Sequence, residues 1–102
     1  MFRKILLISL LSIFSISALA DSNMDLGLDV YNNKAQCGVC HTLQAAGSTG
    51  DIGPNLDQLK AQMGQIIAVV TNGIGVMPPW EGILTYEEIE AVAYYVFNST
   101  NK

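Results

Sequence analysis

Two cysteines and one histidine, the only residues of their kinds among 102, fall together as Cys37-Gly38-Val39-Cys40-His41. Cys-x-x-Cys-His is the spacing at which two thiols bond to the vinyl groups of a haem while the next residue, an imidazole, ligates its iron. The motif constrains the fold, because a chain that uses it has to wrap a flat, apolar macrocycle around this pentapeptide. Competing uses lack parts. A structural zinc site takes four Cys or His ligands, and this chain has three, crowded into five positions. A thioredoxin-like dithiol needs strands alternating with helices, whereas the segments after the motif read as short helices separated by Gly and Pro.

The first twenty residues have the make-up of a secretory leader. Arg3 and Lys4 give a basic start, Ile5 to Ile16 is an apolar run broken only by serines, and Ala18-Leu19-Ala20 is a small-residue cleavage box. The apolar run is shorter than the roughly 20 residues that span a bilayer. No cysteine follows the box, which removes a lipid anchor. The expected organisation is therefore a signal peptide over residues 1–20 and one domain over 21–102, delivered to the periplasm, a compartment suited to thioether attachment of haem.

Cleavage after Ala20 removes two of the five basic residues and none of the nine acidic ones, taking the net charge from −4 to −6. A chain this acidic is a poor partner for nucleic acid or anionic lipid and a better one for a protein with a basic or mixed docking face. The 82 residues left have little room for a large core, and small domains commonly draw on a metal or cofactor for the remainder.

Leu28 and Tyr31 share one face of a helix expected over Met24 to Asn33. Gly47 to Pro54 carries turn chemistry throughout and reads as an irregular loop. Asn55 is placed to cap a second helix with Leu56, Leu59 and Met63 as its stripe, interrupted at Gly64. Gln65 to Thr71 continues as helix until Asn72-Gly73 stops it. Gly73 to Trp80 cannot be regular structure, because its glycines and prolines deny both helix and central strand. Thr85-x-x-Glu88 is a capping box, and Ile89, Val92, Ala93, Val96 and Phe97 recur at helical spacing over Tyr86 to Asn98.

Taken together, Cys37 to His41, Gly53-Pro54-Asn55-Leu56, Val76-Met77-Pro78-Pro79 and Ala93-Tyr94-Tyr95-Val96 in a terminal helix resemble the small bacterial class I cytochromes c. The resemblance covers essentially all of residues 21–102. It implies an all-α fold of three to five short helices around one haem c, covalently bound through Cys37 and Cys40. It also implies that His41 is one iron ligand, and that Pro54 offers the carbonyl to which the other nitrogen of that imidazole donates. Gly27 and Tyr31 match the pairing that lets the first helix approach the last, where Tyr95 is the matching aromatic. The link from Asn32 to Gln36 is longer than the family usually has.

For the opposite face of the iron the residues leave methionine, lysine, water or nothing. Met77 is the strongest candidate, since it stands in a proline-stiffened loop while Met24 and Met63 fall on helices where methionine fills cores. Trp80 follows that loop and is placed to meet a haem propionate or to cap the pocket.

The function implied is single-electron transfer between redox proteins, from a dehydrogenase or quinol-oxidising complex to an oxidase or reductase, with no catalytic residue. A narrower alternative is a haem subunit of a dehydrogenase complex, because Cys37 to Gly47 and Gly73 to Pro78 are similar to cytochrome subunits of sulfite dehydrogenases. An open-site sensor or peroxidase is a third. A peroxidase wants a distal acid or base, and residues 21–102 have no second histidine and no arginine to serve.

Overall fold

The computed structural model describes residues 14–102. Helix α1 runs Phe14–Asp29 and is continued by one π-helical turn, Val30–Lys34. A 3₁₀ turn over Cys37–Val39 carries the motif, followed by strand β1 (Thr42–Leu43), a second 3₁₀ turn (Gln44–Ala46) and strand β2 (Ser48–Thr49). Then come α2 (Leu56–Leu59), α3 (Met63–Asn72) and α4 (Tyr86–Thr100). Residues 1–13 of the expected leader lie outside the described residues, and α1 crosses the expected cleavage point. Among the described residues no helix is long and apolar enough to cross a membrane.

The helix expected over Met24 to Asn33 starts ten residues earlier, since neither Gly nor Pro intervenes between Phe14 and Leu26. Its far end explains how the long link to the motif is accommodated. The Ala35 N–H donates to the Val30 carbonyl at 2.8 Å, a five-residue span that takes up one residue more than an α-turn. Gln36 then takes the left-handed conformation at φ 51° and ψ 48°, turning the chain into Cys37.

Helix α4 is the centre of the packing, with α1 and α3 against it. Its capping box forms as the sequence implied: Glu88 N–H donates to Thr85 Oγ1 at 3.1 Å and Thr85 N–H to Glu88 Oε1 at 2.9 Å. The stripe Ile89, Val92, Ala93 and Val96 is buried, and the helix runs on to Thr100, two residues beyond expectation. α1 crosses α4 at Gly27, where a β-carbon would lie 2.3 Å from the Ala91 carbonyl oxygen and 2.5 Å from Tyr95 Cβ. Only glycine permits that approach. One turn on, the rings of Tyr31 and Tyr95 pack with centroids 6.1 Å apart and planes tilted by 53°. Val30, Tyr31, Leu43, Val70, Leu84, Ile89, Val92, Tyr95 and Val96 form the buried cluster.

Two expectations require correction. Gly47 to Pro54 is not wholly irregular, because β1 and β2 pair antiparallel, with Thr42 opposite Thr49 and Leu43 opposite Ser48. Gly47, at φ 69°, closes that turn. The second helical piece breaks at Lys60 and not at Gly64. Asn55 caps α2 by accepting from Gln58 N–H, but Lys60 adopts φ 49° and ends the helix after Leu59, so Gly64 falls in the first turn of α3. α3 stops at Asn72 as expected, with Gly73 N–H donating to the Val69 carbonyl at 2.8 Å.

Candidate haem site

The motif turn is tight. The Cys37 carbonyl accepts from both Cys40 N–H, at 3.2 Å, and His41 N–H, at 3.0 Å, so the two cysteines and the histidine leave one compact loop. Both thiols are free and half-buried. Burial pushes the Cys37 thiol up to about 11, which keeps it neutral.

Residues 48–54 lie across this loop as a strap, and the glycines record how closely. A β-carbon on Gly38 would meet Ser48 Cβ at 2.6 Å. One on Gly50 would lie 2.6 Å from the Cys40 carbonyl carbon and 2.7 Å from the His41 nitrogen. One on Gly53 would stand 2.5 Å from His41 Cε1 and 3.0 Å from Nε2, so Gly53 is pressed against the imidazole. Hydrogen bonds fix the register: Thr42 Oγ1 donates to the Gly50 carbonyl at 2.9 Å, and Gly53 N–H donates to the Cys40 carbonyl at 2.7 Å.

The strap ends at Pro54, whose carbonyl accepts from His41 Nδ1 at 2.7 Å. A carbonyl only accepts, so Nδ1 carries the proton and Nε2 presents its lone pair outward. That is the tautomer an iron-ligating imidazole needs, and the bond raises its basicity. The contact implied for Pro54, its carbonyl accepting from this ring, is present in the structure. The parts played by Gly38, Gly50 and Gly53 in holding the ring were not read from the sequence. The run of three glycines among residues 47–53 was the available signal for close backbone approach.

Met77 stands at the end of a two-residue turn. Ile74 and Met77 exchange both backbone bonds, at 3.1 and 2.9 Å, with Gly75 at φ 56° in the first central position. Its side chain is half-buried against the core cluster. Trp80 is also half-buried on that cluster, with its backbone N–H donating to the Val70 carbonyl at 2.9 Å, which pins the loop to α3.

The donor set fits a haem. Two free thiols and the Nε2 of His41 sit in one loop, and a half-buried thioether is offered by a separate turn. Apolar surface is supplied from the same segments: Val39, Ile52, Ile74 and Val76 are each more than half exposed. Among the described residues no group of three His, Cys, Asp or Glu side chains could hold a free metal ion.

Residues 22–96 match the family model described as cytochrome c oxidase, cbb3-type, subunit III. The chain is 34% identical over 87 residues to cytochrome c6 of Tetradesmus obliquus, covering 76% of this chain and 93% of that one. It is 34% identical over 80 residues to cytochrome c6 of Leptolyngbya boryana, covering 74% and 92%. Among solved structures it is similar to the c-type cytochrome SorU from Sinorhizobium meliloti, with a TM-score of 0.75 and 44% identity over 80% of this chain and 95% of that one.

Proposed function

Since the chain belongs to the small c-type cytochromes, electron carriers with one covalently bound haem c, we propose that it shuttles single electrons between redox proteins in the periplasm with His41 and Met77 as the axial ligands. Cys37 and Cys40 hold the haem through thioether bonds. When bound, the haem supplies a one-electron ferric/ferrous couple.

The observation that carries the ligand assignment is the hydrogen bond from His41 Nδ1 to the Pro54 carbonyl, 2.7 Å, with Gly53 against the ring. It leaves Nε2 as the one free nitrogen of the only imidazole in the chain. Met77 is supported by its turn, which presents a thioether from a segment fixed at both ends by the Ile74 bonds and the Trp80–Val70 bond. A neutral thioether and apolar surroundings both favour the ferrous state, so the carrier works at a positive potential. Trp80 completes the set, its indole meeting a propionate or capping the pocket. With the leader cleaved, residues 21–102 operate as a soluble unit of net charge −6.

The test is the visible spectrum of the protein matured with cytochrome c assembly factors. A low-spin spectrum, with the weak far-red band of sulfur ligation in the ferric state, is the expected result. A high-spin spectrum that changes on adding carbon monoxide or cyanide overturns the Met77 assignment and moves the sensor or peroxidase reading forward.

A second reading, the haem subunit of a sulfite dehydrogenase-like complex, is supported by the likeness of Cys37 to Gly47 and Gly73 to Pro78 to such subunits. A dedicated subunit co-purifies with a larger enzyme. A free carrier binds weakly, with an affinity that falls steeply with salt.

A further inference from the structure

Besides the β1–β2 pairing and the His41–Pro54 bond, three hydrogen bonds hold the strap to residues 40–43, and one of them reaches outside the site. Ser48 Oγ accepts from Leu43 N–H at 3.0 Å and lies 2.8 Å from the hydroxyl of Tyr31. Its Cβ rests over Gly38, the first residue between the two cysteines. Tyr31 is fully buried, and its hydroxyl is also 3.5 Å from the His41 carbonyl oxygen. The ring that carries this hydroxyl packs on Tyr95 of α4. The other two anchors, Thr42 to Gly50 and Gly53 to Cys40, connect the strap only to the loop it covers.

We propose that Ser48, held by Tyr31, is a positioning residue for the iron-ligating histidine: its hydroxyl fixes one end of the strap whose other end, the Pro54 carbonyl, orients the His41 ring. The proposal rests on the reading that His41 ligates the haem iron. Only five residues separate Ser48 from Pro54, and the segment between them is held close to the loop at Gly50 and Gly53 by contacts that tolerate no β-carbon. A shift of the strap at Ser48 therefore reaches the ring. Neither hydroxyl has to touch the haem. Their effect passes through the length of the Nδ1–H···O=C bond, which sets how strongly the imidazole donates to iron. A longer bond makes His41 a weaker donor, favours ferrous iron and raises the potential.

The test uses the haem-loaded protein and two readouts that a merely structural role would leave unmoved. These are the reduction potential and, by NMR of the ferrous state, the rate at which the His41 Nδ1 proton exchanges with solvent. Ser48→Ala is expected to speed that exchange by about tenfold, the worth of one hydrogen bond, and to move the potential upward. Tyr31→Phe, which keeps the ring packing, moves both readouts the same way. The double variant goes less far than the sum of the two single variants, because the shorter contact of Tyr31, 2.8 Å, is to Ser48 and its approach to the His41 carbonyl is 3.5 Å. Ser48→Thr, which keeps the hydroxyl, returns both towards the wild type.

A Ser48→Ala protein that melts earlier but has wild-type exchange and potential overturns the proposal, as does a threonine variant that behaves like alanine. Should Ser48→Ala fail to mature, Tyr31→Phe decides alone, and unchanged exchange counts against the proposal. Failure of the underlying ligand reading is distinguishable. In that case the His41 ring protons of the wild type lack the ring-current shift of a haem ligand before any variant is made.

Discussion

The imidazole of His41 is held by contacts that a single methyl group can disturb. A β-carbon at residue 53 falls 2.5 Å from Cε1 and 2.9 Å from Nδ1 of the ring, so Gly53→Ala forces either the ring or the strap to move. The expected outcome is a protein that still binds haem through Cys37 and Cys40, is destabilised by about 1–3 kcal/mol as for other overpacked sites, and has a shifted potential. Thermal melting and voltammetry of the haem-loaded variant check this. Met77→Ala has a different signature: haem remains attached, external ligands bind, and the potential falls by on the order of 100 mV within the roughly 0.8 V that axial ligands command. An unchanged potential in that variant removes Met77 from the iron. At this scale the sequence was legible where covalent spacing carried the information, as in Cys37 and Cys40. Ser48 and Gly50 were read only as turn residues, because their importance comes from what lies across from them in space. Local turn chemistry is silent on that.

Periodicity and capping were the most readable features of the elements. α4 could be drawn from Thr85-x-x-Glu88 and its apolar stripe, and the structure adds only its last turn. The break between α2 and α3 was misplaced because a lysine in a left-handed conformation leaves no compositional mark, whereas Gly64 looks like a helix breaker. The two-residue ladder of β1 and β2 was too short to produce an alternating pattern. The crossing of α1 on α4 makes a sharp prediction. Alanine is the better helix former by about 1 kcal/mol, yet Gly27→Ala is expected to destabilise by about 1–3 kcal/mol, because its methyl group meets the Ala91 carbonyl and Tyr95. A raised melting temperature contradicts that packing.

The same crossing is braced by an ion pair with its own pH dependence. Lys34 Nζ lies 2.5 Å from Glu88 Oε2, linking the π-turn to the first turn of α4. The lysine, together with the Thr85 bonds, holds the Glu88 carboxyl below its ordinary value, 4.5, and the carboxylate raises Lys34. Glu88 is depressed on folding, so its contribution is present above the unfolded value and lost as pH falls through the lower folded one. Acid melting of Glu88→Gln, which removes the charge, should therefore show a smaller loss between pH 5 and 3 than the wild type, checked by melting temperature across that range. An identical acid dependence removes the pair from the account.

The whole molecule is small and acidic, and its own core is limited. Among the described residues the buried cluster amounts to nine apolar side chains, while Ile52, Ile74, Val76 and Ile83 are each about two-thirds or more exposed on the polypeptide. Domains of this size can fold alone, but where one wraps a cofactor into its core, binding free energy becomes folding free energy. Ile52 lies on the strap, Ile74 and Val76 on the Met77 turn and Ile83 just beyond Trp80, so this apolar surface is left uncovered by the helices. A covalently bound haem would cover it. Replacing both cysteines with alanine, which prevents covalent attachment, should give a haem-free chain whose α1–α4 contact forms weakly and whose thermal transition is broad. Circular dichroism would then retain part of the helical signal without cooperative melting. A sharp transition in that variant would mean that the helix crossing at Gly27 and the tyrosine pair suffice to fold the protein. The cofactor would then be cargo on a finished scaffold, and not part of its core.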